Sequence, residues 1–229
     1  MTSRFKGAIF DMDGTILDSM GYWRSFNVSF LAKRGLEVPE ELKGCELTTH
    51  SGAAAKLFLQ KFDLGMSFEE IIQEFEDGME PLYASVIDPK PGALDCVRAL
   101  KRAGLKLCVA TLAPRRAAEI ALRRHGILDE FEFVLATGET GLSKGGAEIF
   151  HRIAGMMNLT AKDCVVFEDS VYAMRGARSA GCAVVAIEEP AAAPDIAEIR
   201  EISDVYVPDY NLFTLEALDR LDNPVSGAV

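Results

Sequence analysis

What the sequence lacks narrows the field first. It has no Cys-x-x-Cys pair, and its five cysteines, Cys45, Cys96, Cys108, Cys164 and Cys182, are odd in number. That pattern argues against a disulfide framework and against a cysteine-held zinc centre. Cys108, Cys164 and Cys182 lie in or beside apolar runs, where cysteine behaves as a small hydrophobe. No apolar stretch approaches the ~18 residues that a membrane span requires, and no signal-peptide core precedes the first structured pattern. Positive charge is in deficit, with 24 Lys and Arg against 35 Asp and Glu and a net charge of -11. No nucleic-acid or membrane partner is therefore expected through bulk electrostatics. An anionic substrate has to be drawn in by a local metal or lysine. Repeats and low-complexity segments are absent. The expectation is a cytoplasmic, acidic, globular protein, a monomer or weak homodimer, built as one domain or one domain with an insertion.

What is present centres on Phe5 to Ser19. The apolar run Ala8-Ile9-Phe10 has the size of a buried strand and ends in Asp11-Met12-Asp13-Gly14-Thr15. In extended chain, side chains at i and i+2 point the same way, so two carboxylates arrive in one place. A buried pair of acids needs a divalent metal, a shared proton, or both. Alone, Asp-Gly after a strand is an ordinary turn; the rest of the chain decides the matter.

From about residue 18 to 88 the pattern is helical throughout. Trp23, Phe26, Phe30 and Leu31 form one face of a first helix, with Asp18 or Ser19 as its cap. A second helix is expected over 51–62, burying Ala54, Leu57 and Phe58. A third is expected over about 67–83, with Phe68, Ile71, Ile72, Phe75, Met79 and Leu82 on its stripe. Pro89-Lys90-Pro91-Gly92 marks a boundary. Beyond it helices at 93–103, 114–124, 145–156 and 171–180 alternate with strands at 105–110, 131–135, 164–167 and 183–187. A strand at 205–207 and a short helix at 211–220 follow. Such alternation predicts an α/β fold, a Rossmann-like mainly parallel sheet. The division expected is a catalytic core from 1–17 and 89–229, with 18–88 inserted as an all-helical cap.

Three later strand ends carry polar residues that a core does not need: Thr111, the glycine-rich turn holding Lys144, and Glu168-Asp169. Each has a plain alternative, as helix cap, surface lysine and helix start respectively. The Gly138–Gly146 segment lacks the spacing of a nucleotide-binding P-loop. In open α/β sheets, however, ligands bind at the carboxyl ends of strands. Asp11, Asp13, Thr111, Lys144, Glu168 and Asp169 would gather there, a cation site facing an anion site.

With those residues in order, the chain resembles the haloacid dehalogenase superfamily, in its subgroup with a helical cap after the first strand. Asp11-Met12-Asp13-Gly14-Thr15 matches the first signature, Thr111 the second, Lys144 the third and Glu168-Asp169 the fourth. The resemblance implies a phosphatase with Asp11 as nucleophile and Asp13 as acid and base. It implies Mg2+ held by Asp11, the Asp13 carbonyl, Asp169 and Glu168, with Thr111 and Lys144 on the phosphoryl oxygens. Ala173, and Gly145-Gly146-Ala147 after Lys144, depart from the common pattern without removing a reacting group.

Asp13 argues against the dehalogenase branch, which has no acid there. A mutase resembling beta-phosphoglucomutase would carry a cap arginine and a histidine. Here Lys43-Gly44 is followed by Cys45-Glu46-Leu47, no arginine falls between Arg34 and Arg98, and Trp23 takes the histidine's place. Phosphatase is therefore favoured over mutase, with a small phosphorylated metabolite as substrate. Thr48, Thr49, His50 and Trp23 are the candidate specificity residues of the cap. A non-catalytic phospho-accepting switch is disfavoured by the length of the chain and its inserted cap, and a silent binding protein by the complete set of motif residues.

Overall fold

Gly7–Phe10 forms β1, buried at all four positions, as a strand covered on both faces must be. This is a computed structural model, and it describes residues 5–38 and 51–222. The remaining strands are β2 (Lys106–Thr111), β3 (Phe133–Ala136), β4 (Cys164–Glu168), β5 (Ala183–Ile187) and β6 (Val205–Val207). They pair in parallel in the order β3-β2-β1-β4-β5-β6. The chain builds outward from β1 through β2 to β3, then returns across β1 to start β4. The crevice between β1 and β4 is thus the topological switch point, where such sheets bind ligands.

Nine α-helices accompany the strands among the described residues: α1 (Met20–Ala32), α2 (Ser51–Lys61), α3 (Phe68–Ser85), α4 (Ala93–Arg102), α5 (Arg115–Arg124), α6 (Ala147–Met156), α7 (Val171–Ala180), α8 (Ile196–Ile202) and α9 (Leu215–Asp222). One sheet face packs Phe10, Leu107 and Val109 against Val97, Leu100, Ala118 and Leu122. The other packs Ile9, Cys108 and Val166 against Ile149, Ile153, Met174 and Ala177. Period-2 burial of the strands therefore feeds two separate helical layers.

The helices between β1 and α4 have a core of their own, Phe30, Leu31, Ala54, Phe58, Ile71 and Phe75. Phe30 stacks on Phe58 at 5.6 Å and meets Phe75 edge-on at 4.8 Å. Each such ring contributes roughly 1.5–3 kcal/mol on burial. Ser67 starts α3 with a reciprocal capping box to Glu70. The two chain crossings into and out of this layer are joined to each other. Asp18 N–H donates to the Asp88 carbonyl at 3.0 Å, and Lys90 N–H to the Ile16 carbonyl at 2.8 Å.

Two expectations need correction, and one helix is added to the expected set. Ser19 sits at the start of α1 but its side chain makes no capping hydrogen bond, because the residue is already helical in conformation. The buried line of α3 runs Ile71, Phe75, Met79, Tyr83, a strict four-residue step that includes Tyr83 and leaves Leu82 partly exposed. Helix α8 follows a 3-10 turn that carries Pro190 and Pro194, and has no counterpart among the expected elements. Thr48, Thr49 and His50 lie outside the described residues.

Candidate active site

The register of β1 on β4 places Phe10 beside Phe167, so the residues that follow, Asp11 and Glu168, emerge side by side. Asp11 N–H still donates to the Phe167 carbonyl at 3.0 Å. Past Asp11 the chain turns tightly, with Ile16 and Leu17 N–H both donating to the Met12 carbonyl. Gly14 makes this possible. It adopts a φ of 81°, in the left-handed region, and a Cβ there would collide with Asp169 Oδ2. Thr15 Oγ1 donates to Asp169 Oδ1 at 3.2 Å, so the first turn positions an acid from the fourth strand.

Lys144 is only 3% exposed, and its Nζ donates to Asp11 Oδ1 and Glu168 Oε2, each at 2.6 Å. It stands in the turn before α6 rather than on the helix, which begins three residues later at Ala147. The turn can approach because Gly176 of α7 presents no side chain; a Cβ there would clash with the Lys144 carbonyl oxygen. Sequence reasoning did not single out Gly176. Burial favours the neutral amine, but Asp11 and Glu168 outweigh it and hold Lys144 protonated, above the usual lysine value.

Asp11, Glu168 and Asp169 each offer an oxygen within 4.8 Å of the others, and Asp11 Oδ2 is buried with no hydrogen-bond partner. Burial, and then the Asp11 charge, push Glu168 up to about 7 despite Lys144. Burial followed by Glu168 and Asp11 raises Asp169 well above the usual carboxylate range. Three buried acids with one lysine leave a deficit of positive charge. A hard, oxygen-seeking divalent cation fits this donor set, and the unpaired Asp11 oxygen gives it a place.

Thr111 is buried at the end of β2. Its Oγ1 accepts from Ala113 N–H at 3.0 Å rather than capping α5, which starts at Arg115. The hydroxyl proton remains to be donated. Asp13, 1% exposed, accepts at Oδ1 from the Tyr83 hydroxyl at 2.7 Å. Trp23 is buried too, and its indole N–H donates to the Tyr83 oxygen at 3.2 Å. Trp23 therefore reaches the site through Tyr83 rather than as a surface open to substrate. Burial, and next the Asp13 charge, hold the Tyr83 hydroxyl well above its ordinary value, a neutral donor.

Residues 5–181 match the model of the haloacid dehalogenase-like hydrolase family. The chain belongs to that family. Among curated relatives of this hydrolase is hexitol phosphatase A of Escherichia coli K12, 28% identical over 200 residues that span 86% of this chain and 89% of the relative. Among solved structures, a mutant of CbbY from Rhodobacter sphaeroides, in complex with xylulose-(1,5)bisphosphate, superposes with a TM-score of 0.80 at 21% identity, covering 93% and 99% of the two chains. Beta-phosphoglucomutase of Clostridium difficile does so at 0.75 and 20%, covering 96% and 98%. At those identities the structures establish the shared fold, while phosphatase-named curated relatives support a phosphatase among the hydrolases. No described helix is long and apolar enough to cross a membrane.

Proposed function

We propose that this hydrolase is a Mg2+-dependent phosphatase that cleaves a small phosphorylated metabolite through an aspartyl-phosphate on Asp11. The observation that carries the reading is the pairing of Asp11 and Asp13. One is a carboxylate held by Lys144 with its second oxygen unpaired, the other a buried acid two residues on. The name of the hexitol phosphatase relative supports a sugar or polyol phosphate as substrate. Residues 18–88 would act as the cap over the site.

In this reading the Asp11 carboxylate attacks phosphorus, and the bond to the leaving oxygen breaks as Asp13 gives that oxygen its proton. Asp13, now ionised, takes a proton from water. The resulting hydroxide attacks the phosphoryl group, releasing inorganic phosphate and restoring Asp11. Lys144 and the Thr111 hydroxyl bind the phosphoryl oxygens and stabilise their charge in the transition state. Asp11, Asp169, Glu168 and the Asp13 carbonyl would hold Mg2+, which supplies further charge neutralisation when bound. The burial of Asp11, Asp13 and Lys144 limits their contact with bulk water.

The mutase alternative draws on the beta-phosphoglucomutase likeness. It is weakened by Trp23, which occupies buried space and offers no cation to a second phosphate. The test is phosphate release from sugar phosphates, polyol phosphates, nucleotides and p-nitrophenyl phosphate, with Mg2+ or EDTA, beside Asp11→Asn. Turnover that needs Mg2+ and drops at least about 10⁴-fold in the variant is expected. Isomerisation of a hexose phosphate primed by a sugar bisphosphate, without net phosphate release, would favour the mutase.

A further inference from the structure

We propose that Tyr83, carried on α3, is a positioning residue that fixes which oxygen of Asp13 delivers the proton to the leaving group. The proposal rests on the phosphatase reading above and extends it to a residue outside the four signatures.

The argument is one of hydrogen-bond polarity. An indole N–H can only donate, so in the Trp23–Tyr83 contact the tyrosine oxygen must accept. The single hydroxyl proton of Tyr83 is then directed at its other neighbour, Asp13 Oδ1, 2.7 Å away. An oxygen receiving that proton uses a lone pair. Oδ1 is therefore the acceptor oxygen, and the proton that Asp13 gives up resides on Oδ2. The Tyr83 donor thus favours the proton on Oδ2, the placement that the proposal assigns to the leaving group.

All three side chains are buried, Tyr83 completely, so water does not compete for these bonds. Trp23 comes from α1 and Tyr83 from α3, whereas Asp13 belongs to the turn after β1. The proton placement consequently depends on the inserted helices being seated on the sheet. Ordinary core packing explains the rings of Trp23 and Tyr83, which join the cluster of Met79 and Ile87. It does not explain why both polar ends meet in a line that finishes on Asp13.

Tyr83→Phe keeps the ring and removes the hydroxyl. The measurement is the single-turnover rate of phosphoryl transfer from p-nitrophenyl phosphate, whose leaving group needs little protonation, and from polyol phosphates, whose leaving group needs it fully. Expected is a loss of about tenfold or more with polyol phosphates, a fraction of what general acid catalysis contributes, and a change under threefold with p-nitrophenyl phosphate. KM should stay within about twofold, since the substrate-binding groups are untouched. Trp23 is the only tryptophan, so its emission spectrum should also shift when its acceptor is removed. Equal losses on both substrates, or none on either, would overturn the proposal while leaving the hydrolase reading intact. A wild type that hydrolyses no phosphomonoester would instead overturn that reading and the leaving-group argument with it. Should Tyr83→Phe fail to fold, Trp23→Phe removes the far donor and carries the same comparison, with a smaller expected asymmetry.

Discussion

Glu168 carries a charge balance that can be read from outside the protein. In the folded chain its carboxyl is raised to about 7, by burial first and then by Asp11, from an ordinary value of 4.5. Between those two values the folded state binds the extra proton. Stability through this group is therefore greatest below about pH 4.5 and is lost as pH rises toward and through 7, by up to about 3 kcal/mol. Thermal melts in EDTA from pH 5 to pH 8 should show that decline, and Glu168→Gln should make it shallower, leaving the share that the raised Asp169 carboxyl contributes. Added Mg2+ should raise the melting temperature most at the alkaline end, where the ion takes the place of the missing proton. Identical pH slopes for wild type and variant would remove Glu168 as the cause.

The residues proposed to react were legible in the sequence because the strand ends bring them to one edge of the sheet. Asp11, Thr111 and Glu168-Asp169 each close an apolar run, where a carboxylate or hydroxyl stands out from its surroundings. Residues that act through another atom left weaker marks. Tyr83 extends the Ile71, Phe75, Met79 line by one further step of four, yet the apolar pattern gives the last place on the stripe to Leu82. The partner of the Tyr83 hydroxyl is 70 positions away in sequence, beyond any local pattern.

At the scale of the element, α7 and the turn before α6 are fitted to each other through an absent side chain. Gly176 lies in mid-helix, where glycine costs about 1 kcal/mol relative to alanine. The gain is contact: α7 lies against the backbone of Lys144, Gly145 and Gly146. Gly176→Ala improves the local helix propensity and yet should destabilise the protein by about 1–3 kcal/mol, because backbone cannot yield as a side-chain tip does. Lys144 would move with its turn, so phosphate release should fall further than folding does. Urea unfolding combined with steady-state kinetics would show both; a variant more stable than wild type and fully active would refute the fit. Nothing in the sequence marks this contact, because a glycine inside a helical pattern reads as a mere weakness.

The strands and most helices were recoverable for the opposite reason. Buried parallel strands are short continuous apolar runs, and the helices between them end on glycines such as Gly104, Gly126 and Gly181, all at positive φ. The last part of the chain was harder. There α8 is seven residues long, after a proline-bearing 3-10 turn.

Over the whole molecule, the return crossing is tied down more firmly than the outgoing one. Lys90 Nζ, half-buried beside the end of β5, donates to the Glu188 carbonyl at 2.7 Å and pairs with the buried Glu189 at 2.8 Å. Removing one partner of such a pair leaves the other charge stranded, so Lys90→Met should cost about 3 kcal/mol. By contrast the Arg116–Glu80 pair between α5 and α3 is largely in water, where an ion pair contributes under about 1 kcal/mol. Thermal melts of Lys90→Met against Arg116→Ala should reproduce that ranking, and equal losses would contradict it.

Because the two crossings hydrogen-bond to each other, the whole helical segment leaves the sheet and re-enters it at a single seam. A segment whose ends already meet adds little closure entropy, whatever its length. Evolution could lengthen, shorten or exchange it without unpicking a strand, and in the proposed cap role such an exchange would reset the choice of substrate. The exchange has one condition: an incoming segment must bring its own donor for Asp13, or the graft will fold on a core whose acid is unaligned.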